Sequence, residues 1–189
     1  MKKFLFLFAI LGLVAVRCPA EKIDLGPGKA IHLVLPESWI SADDTAPPPG
    51  MPALGKTVRY VTRNGSNDAI LITILTVPDE RFRDSVNLKA LVEEATAQFV
   101  AGSVEGKAEI KEIKLGGVNG YAATFTDAEL VGKPTEKDNY KALTSCYVYL
   151  GEHVLVTANV FTDDLSGKAY AAGMRILKTL SLDLPKNAL

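Results

Sequence analysis

Seven consecutive residues, Ala69-Ile70-Leu71-Ile72-Thr73-Ile74-Leu75, place apolar or β-branched side chains at odd and even positions alike. An extended chain points successive side chains to opposite faces, so such a run has no face suited to water. Four of the seven are β-branched, which favours a strand over a helix. The run therefore predicts a central strand covered from both sides. Residues 57–62 form a second β-branched stretch, and Arg63-Asn64-Gly65-Ser66-Asn67-Asp68 separates the two. Asn64-Gly65 tolerates positive φ, so the pair predicts a hairpin. Asn64-Gly65-Ser66 also matches a glycosylation acceptor, but the turn accounts for it and the leader is of bacterial form.

Around this hairpin the remaining elements fall into place by period. Residues 29–35 alternate as a strand and end at Pro36-Glu37-Ser38-Trp39, where proline breaks the ladder and tryptophan returns to the core. Pro47, Pro48, Pro49, Gly50 and Pro52 then predict an irregular surface loop. From Asn87 the period changes, with Leu88, Leu91, Val92, Ala95 and Phe99 on one helical stripe. Asn87 is the expected cap, Val86 and Leu91 the expected staple, and Gly102 the end.

Residues 107–115 read as a more polar strand, followed by Gly116-Gly117-Val118-Asn119-Gly120 and a strand over residues 121–126. A phosphate-binding glycine loop opens a helix, whereas these glycines join strand to strand and read as a turn. A polar loop over 132–139 leads to strands over 140–150 and 153–162, which meet at Gly151-Glu152. The last helix is expected to open at Asp163 or Asp164 and run towards Leu180, burying Leu165, Ala169, Ala172, Met174, Ile176, Leu177 and Leu180. Arg175 and Lys178 near its end suit the helix dipole. The order predicts an α+β fold, an antiparallel sheet of about six strands with helices packed on it.

The N-terminus carries a separate message. Lys2 and Lys3 precede an apolar run over residues 4–16, and Arg17, Cys18, Pro19 and Ala20 follow. A basic start, a short apolar middle and a small final residue form a secretory leader, which assigns residues 1–20 to a signal peptide and 21–189 to a single domain. A membrane-crossing helix needs roughly 20 apolar residues, so no transmembrane span is expected after cleavage. Cys18 behind the apolar run raises lipidation, which would tether the domain to a membrane. Lipoprotein processing wants a small residue before the cysteine, and Arg17 opposes it. Cleavage after Ala20 and a periplasmic or secreted domain are the expectation.

Composition supports an ordinary folded domain, with 48% apolar and 23% charged residues. Removing the leader leaves 18 basic and 22 acidic side chains, a net charge of −4, which offers no basic face for nucleic acid. Cleavage also leaves Cys146 without a mate for an internal disulfide. Its run places it on a face with Val148 and Leu150, as a small buried residue, and neither histidine is near in sequence to make it a reactive thiol.

Little else in the chain carries chemistry. His32 and His153 are far apart and show no metal-ligand spacing. Ser66 and Ser166 sit in no nucleophile elbow. The acidic pairs Asp43-Asp44, Glu93-Glu94 and Asp163-Asp164 read as loop, solvated helix face and cap. No catalytic, cofactor-binding or metal residue is named, and no cofactor is expected. Two readings of function follow. The first is a non-enzymatic exported protein that binds a protein partner or small ligand through the loops at 46–54 and 132–139. The second is a small envelope hydrolase or other enzyme whose residues meet only in the fold, for instance His32 or His153 beside a carboxylate.

Three segments together resemble the PsbP-like fold. They are Leu33-Val34-Leu35-Pro36-Glu37-Ser38-Trp39, Leu115-Gly116-Gly117-Val118-Asn119-Gly120-Tyr121, and the helix over 170–181 with its Ile176-Leu177-Lys178-Thr179-Leu180 end. Proteins of that fold include the PsbP subunit of photosystem II, a nuclear-import factor that binds the GTPase Ran, and exported bacterial proteins of unknown role. The resemblance implies an antiparallel sheet sandwiched between helices, in proteins that mostly bind others rather than catalyse. It carries over no photosystem site residue, and a Ran-binding role conflicts with an export leader.

Overall fold

A computed structural model of the 189-residue chain describes residues 20–42 and 55–184. Cys18, the Asp43-Asp44 pair and the proline run at 47–52 lie outside the described residues. The strands are β1 (Ala20–Gly26), β2 (Lys29–Val34), β3 (Trp39–Ala42), β4 (Lys56–Thr62), β5 (Ala69–Thr76), β6 (Lys111–Leu115), β7 (Val118–Thr126), β8 (Ala142–Gly151), β9 (Val154–Thr162) and β10 (Ser181–Asp183). Two α-helices, α1 (Ser85–Val100) and α2 (Lys168–Lys178), complete them. Seven strands form one antiparallel sheet in the order β3-β4-β5-β9-β8-β7-β6, and β1-β2-β10 form a smaller one.

The doubly apolar run occupies the interior of the large sheet, paired on one side with β4 and on the other with β9. Ile70, Ile72 and Ile74 project into a core shared with Ile31 and Leu33 of β2 and with Ile176 and Leu177 of α2. The small sheet and α2 thus cover one face. On the opposite face α1 lies across β7 and β8, where Leu88 and Leu91 meet Tyr121, Tyr147, Tyr149 and Leu155. A sheet sandwiched between helical layers is the architecture expected from the sequence, enlarged by the small second sheet. Among the described residues no helix is long and apolar enough to cross a membrane.

Element ends differ from the periodicity in instructive ways. Asp84, not Asn87, caps α1, its carboxylate accepting from Val86 N at 2.7 Å and Asn87 N at 3.3 Å. Asn87 therefore lies inside the first turn, and Val86, 73% exposed, makes no staple. Neither Asp163 nor Asp164 caps α2. Asp164 instead accepts from Ser166 N and Oγ at 2.8 and 2.6 Å, a local turn that holds the chain out of helix until Gly167. Leu165 is left outside the helix and exposed. The polar strand begins at Lys111 rather than 107, where its ladder with β7 starts.

The predicted turns hold at their glycines, but the one expected over 116–120 is only two residues long, since Val118, Asn119 and Gly120 already pair in β7. Gly65 takes φ +73 between β4 and β5, and Gly116 and Gly117 take +57 and +80 between β6 and β7, the two positive values that a tight hairpin turn requires. Trp39 returns to the core at 3% exposure.

Candidate functional site

The chain between β7 and β8, residues 127–141, crosses the end of the large sheet as a strap. Its anchor is Asn67, in the β4–β5 turn. The Asn67 amide donates to Asn139 O at 2.6 Å, Glu136 O at 3.3 Å and Asp163 Oδ2 at 3.1 Å, and its oxygen accepts from Asp138 N at 3.1 Å. Asp163 also accepts from Thr135 Oγ1 and from Lys141 N, the latter at 3.1 Å. Burial alone would raise its carboxyl, but these donors outweigh burial and hold it below the usual value. Arg59 on β4 reaches the same strap, donating to Asp138 and to Tyr140 Oη, the latter at 3.1 Å. Tyr140 Oη in turn donates to Asp138 Oδ1 at 3.2 Å. The Arg59 hydrogen bond is the main reason that the Asp138 carboxyl lies below the ordinary range.

This network props the strap beside the C-terminal end of α1, and a cleft of about 350 Å³ lies between them. Register brings its lining together: Phe125 of β7 stands opposite Leu143 of β8, which stands opposite Phe161 of β9. Phe99 of α1 closes one side, its ring 5.6 Å from that of Phe125, and Tyr140 the other, 5.0 Å from Phe161. Phe125 is buried at 4%, whereas Phe99, Tyr140, Leu143 and Phe161 remain half-buried. Gln98, Ser103, Asp127, Asn139 and Lys141 add polar groups around them. A concavity with an aromatic floor and a polar rim is one form that a ligand site takes.

The residues singled out in the sequence lie elsewhere. His32 of β2 sits with Nε2 2.9 Å from Asp183 Oδ2 of β10, across the small sheet. His153 is exposed in the β8–β9 turn at φ +63. The two histidines do not meet, and among the described residues no group of three His, Cys, Asp or Glu side chains could hold a metal. Cys146 is fully buried, and burial pushes its thiol up to about 12. Ser66 bonds Asp68 within the hairpin turn, and Ser166 bonds Asp164 ahead of α2. Glu93 and Glu94 are exposed on α1. The loop at 132–139 does belong to the site, as part of the strap. Phe125, Tyr140 and Phe161 were not legible as a group, because each stands near a strand end and only the register of three strands gathers them.

No family model and no curated protein matches the chain. Solved structures do. Cyanobacterial PsbP (CyanoP) from Synechocystis sp. PCC 6803 superposes with a TM-score of 0.51 at 12% identity, over 92% of this chain and 98% of that one. The Ran-binding protein Mog1p of Saccharomyces cerevisiae gives a TM-score of 0.45 at 15% identity, over 87% and 96% of the two chains. Identities this low speak to architecture alone, and the cyanobacterial match agrees with the topology described above: the chain has a PsbP-like α+β fold.

Proposed function

We propose that this chain is an exported, non-enzymatic binding module, and that the cleft beside the strap is where it takes its partner or ligand. The observation that carries the reading is the half-buried state of Phe99, Tyr140, Leu143 and Phe161. Among the described residues a core of twenty buried side chains lies on the other face of the sheet, yet these four side chains line an open concavity. A hydrogen-bonded strap keeps that concavity from collapsing. Exposed apolar surface maintained by a polar scaffold is a cost to stability that binding recovers.

Export rests on the leader and on its fit to the fold. Cleavage after Ala20 removes one residue of β1 and leaves the rest of the strand. The hydrolase reading has one observation in its favour, the His32–Asp183 pair. That pair bridges β2 to β10 away from the cleft, and Ser103, the serine that does line the cleft, spends its hydroxyl on Val100 O at 3.0 Å and on Gly106 N at 3.3 Å.

The test is capture from an envelope extract by the tagged chain starting at Glu21, beside the Leu143→Lys variant. A specific protein or small molecule retained by the parent and lost by the variant is the expected result. Turnover of a substrate in an activity screen, with nothing retained through the cleft, would overturn the reading.

A further inference from the structure

We infer that the cleft is a receptor for one compact, neutral aromatic group of a small molecule, an inference that rests on the binding reading above. Size sets the first bound. The cleft is open and partly polar, unlike the enclosed apolar cavity of about 150 Å³ that accepts benzene, and its volume of about 350 Å³ is an upper bound that admits one or two fused rings. At its floor, where Phe125, Leu143 and Phe161 meet, water finds few partners and an apolar group displaces it favourably.

The lining argues for a ring over an aliphatic chain. Phe99 and Phe125 are tilted by 46° and Tyr140 and Phe161 by 34°, so the two pairs stand tilted rather than stacked flat. A planar aromatic occupant gains edge-to-face and offset contacts with such pairs beyond the area it buries, and a saturated ring does not.

Charge argues for neutrality. Asp138 is engaged by Arg59 and Tyr140, so its charge is already answered. The other charged residues of the lining, Asp127 and Lys141, are opposite in sign, and a charged ligand would meet one of its own sign. Among the described residues the Asn139 side-chain amide and the Lys141 ammonium make no hydrogen bond, which leaves donors for a hydroxyl or carbonyl substituent on the ring.

The surroundings argue for a small molecule over a protein. A stable protein interface covers roughly 800 Å² on each partner around an apolar centre. None of the large exposed apolar side chains among the described residues, Val104 and Val131 included, lines the cleft.

The experiment titrates the ¹⁵N-labelled chain starting at Glu21 with indole, p-cresol and, as the saturated control, cyclohexanol. Saturable one-to-one shifts of the Gly102, Asn139 and Phe161 amides are expected with the first two, and at least tenfold weaker binding with the third. Gly102→Leu adds a side chain at the cleft lining, where a Cβ meets nothing within 4 Å, and should weaken indole at least tenfold with the rest of the spectrum unchanged. Phe161→Leu, which keeps bulk and removes the ring, should do the same if Gly102→Leu does not fold. Absence of saturation, shifts away from the cleft, equal binding of cyclohexanol, or full affinity in both variants would overturn the inference. If the aromatic probes fail while a captured protein still depends on Leu143, the binding reading stands and this inference falls. If both fail, both fall.

Discussion

Tyr60 carries its hydroxyl into the core at 0% exposure, and among the described residues that hydroxyl has no hydrogen-bond partner. Burial drives its pKa upward. A buried polar group without a partner costs about 1–3 kcal/mol, so Tyr60→Phe should raise stability by about 1 kcal/mol in urea unfolding; a loss of that size would show the hydroxyl to be bonded. Asp163 presents the opposite case, since three donors meet on its carboxylate. Its folded pKa lies below the ordinary value of 3.8, so the stability it contributes is complete above that value and is lost as pH falls through the folded one. Asp163→Asn should therefore cost about 1.5–3 kcal/mol at neutral pH. It should also flatten the decline in stability below about pH 4. An acid titration of the two proteins that gave parallel curves would refute the linkage.

Two glycines show how the sheet limits what its elements tolerate. A Cβ at Gly120 would stand 2.4 Å from Tyr147 O on the neighbouring strand, and that carbonyl is fixed by the β7–β8 ladder. Gly120→Ala should therefore lose about 1–3 kcal/mol, as overpacking does. Gly102→Ala, with open space around its Cβ, should be neutral or gain up to about 1 kcal/mol by restricting the unfolded chain. Thermal unfolding of the pair decides it, and equal effects would contradict the packing described. Elements of this kind were legible to different degrees for physical reasons. The β5 run, the α1 stripe and the Gly116-Gly117 turn express themselves in local side-chain chemistry, and sequence is enough to see them. The start of α2 was misplaced because Asp164 turns the chain locally before Gly167. β1 begins at the last residue of the expected leader and β10 has only three residues, and each exists through its ladder with β2 rather than through a local signal. The cleft depended on register in the same way, and Phe99 alone announced itself, as the last position of a helical stripe.

At the scale of the molecule, β2 is the link between the N-terminal segment and the core. It carries Ile31 and Leu33 inward, and both β1 and β10 pair with it. The register sets Ala20 against Val34, Glu21 against Leu33 and Ile23 against Ile31, with Ile23 2% exposed. Cleavage of the proposed leader must leave Ile23 in place, or β2 loses one of its two partners and the core loses a side chain. Cleavage after Ala20 meets that condition. Processing at Cys18 meets it too, so the fold is compatible with either N-terminus, and only the mass of the processed chain distinguishes a free Glu21 from a lipidated Cys18. The limit itself is testable. A chain beginning at Glu21 should unfold cooperatively, whereas one beginning at Pro27 gives up the β1 ladder and the burial of Ile23. Burying an isoleucine is worth about 1.5–3 kcal/mol, and the paired backbone adds to it. The shorter chain should therefore unfold at a lower urea midpoint, its unfolding free energy reduced by at least that amount, with β2 and β10 losing amide protection first in hydrogen exchange. Equal midpoints would mean that β1 is an appendage, and the fold would then place no limit on where the leader is cut.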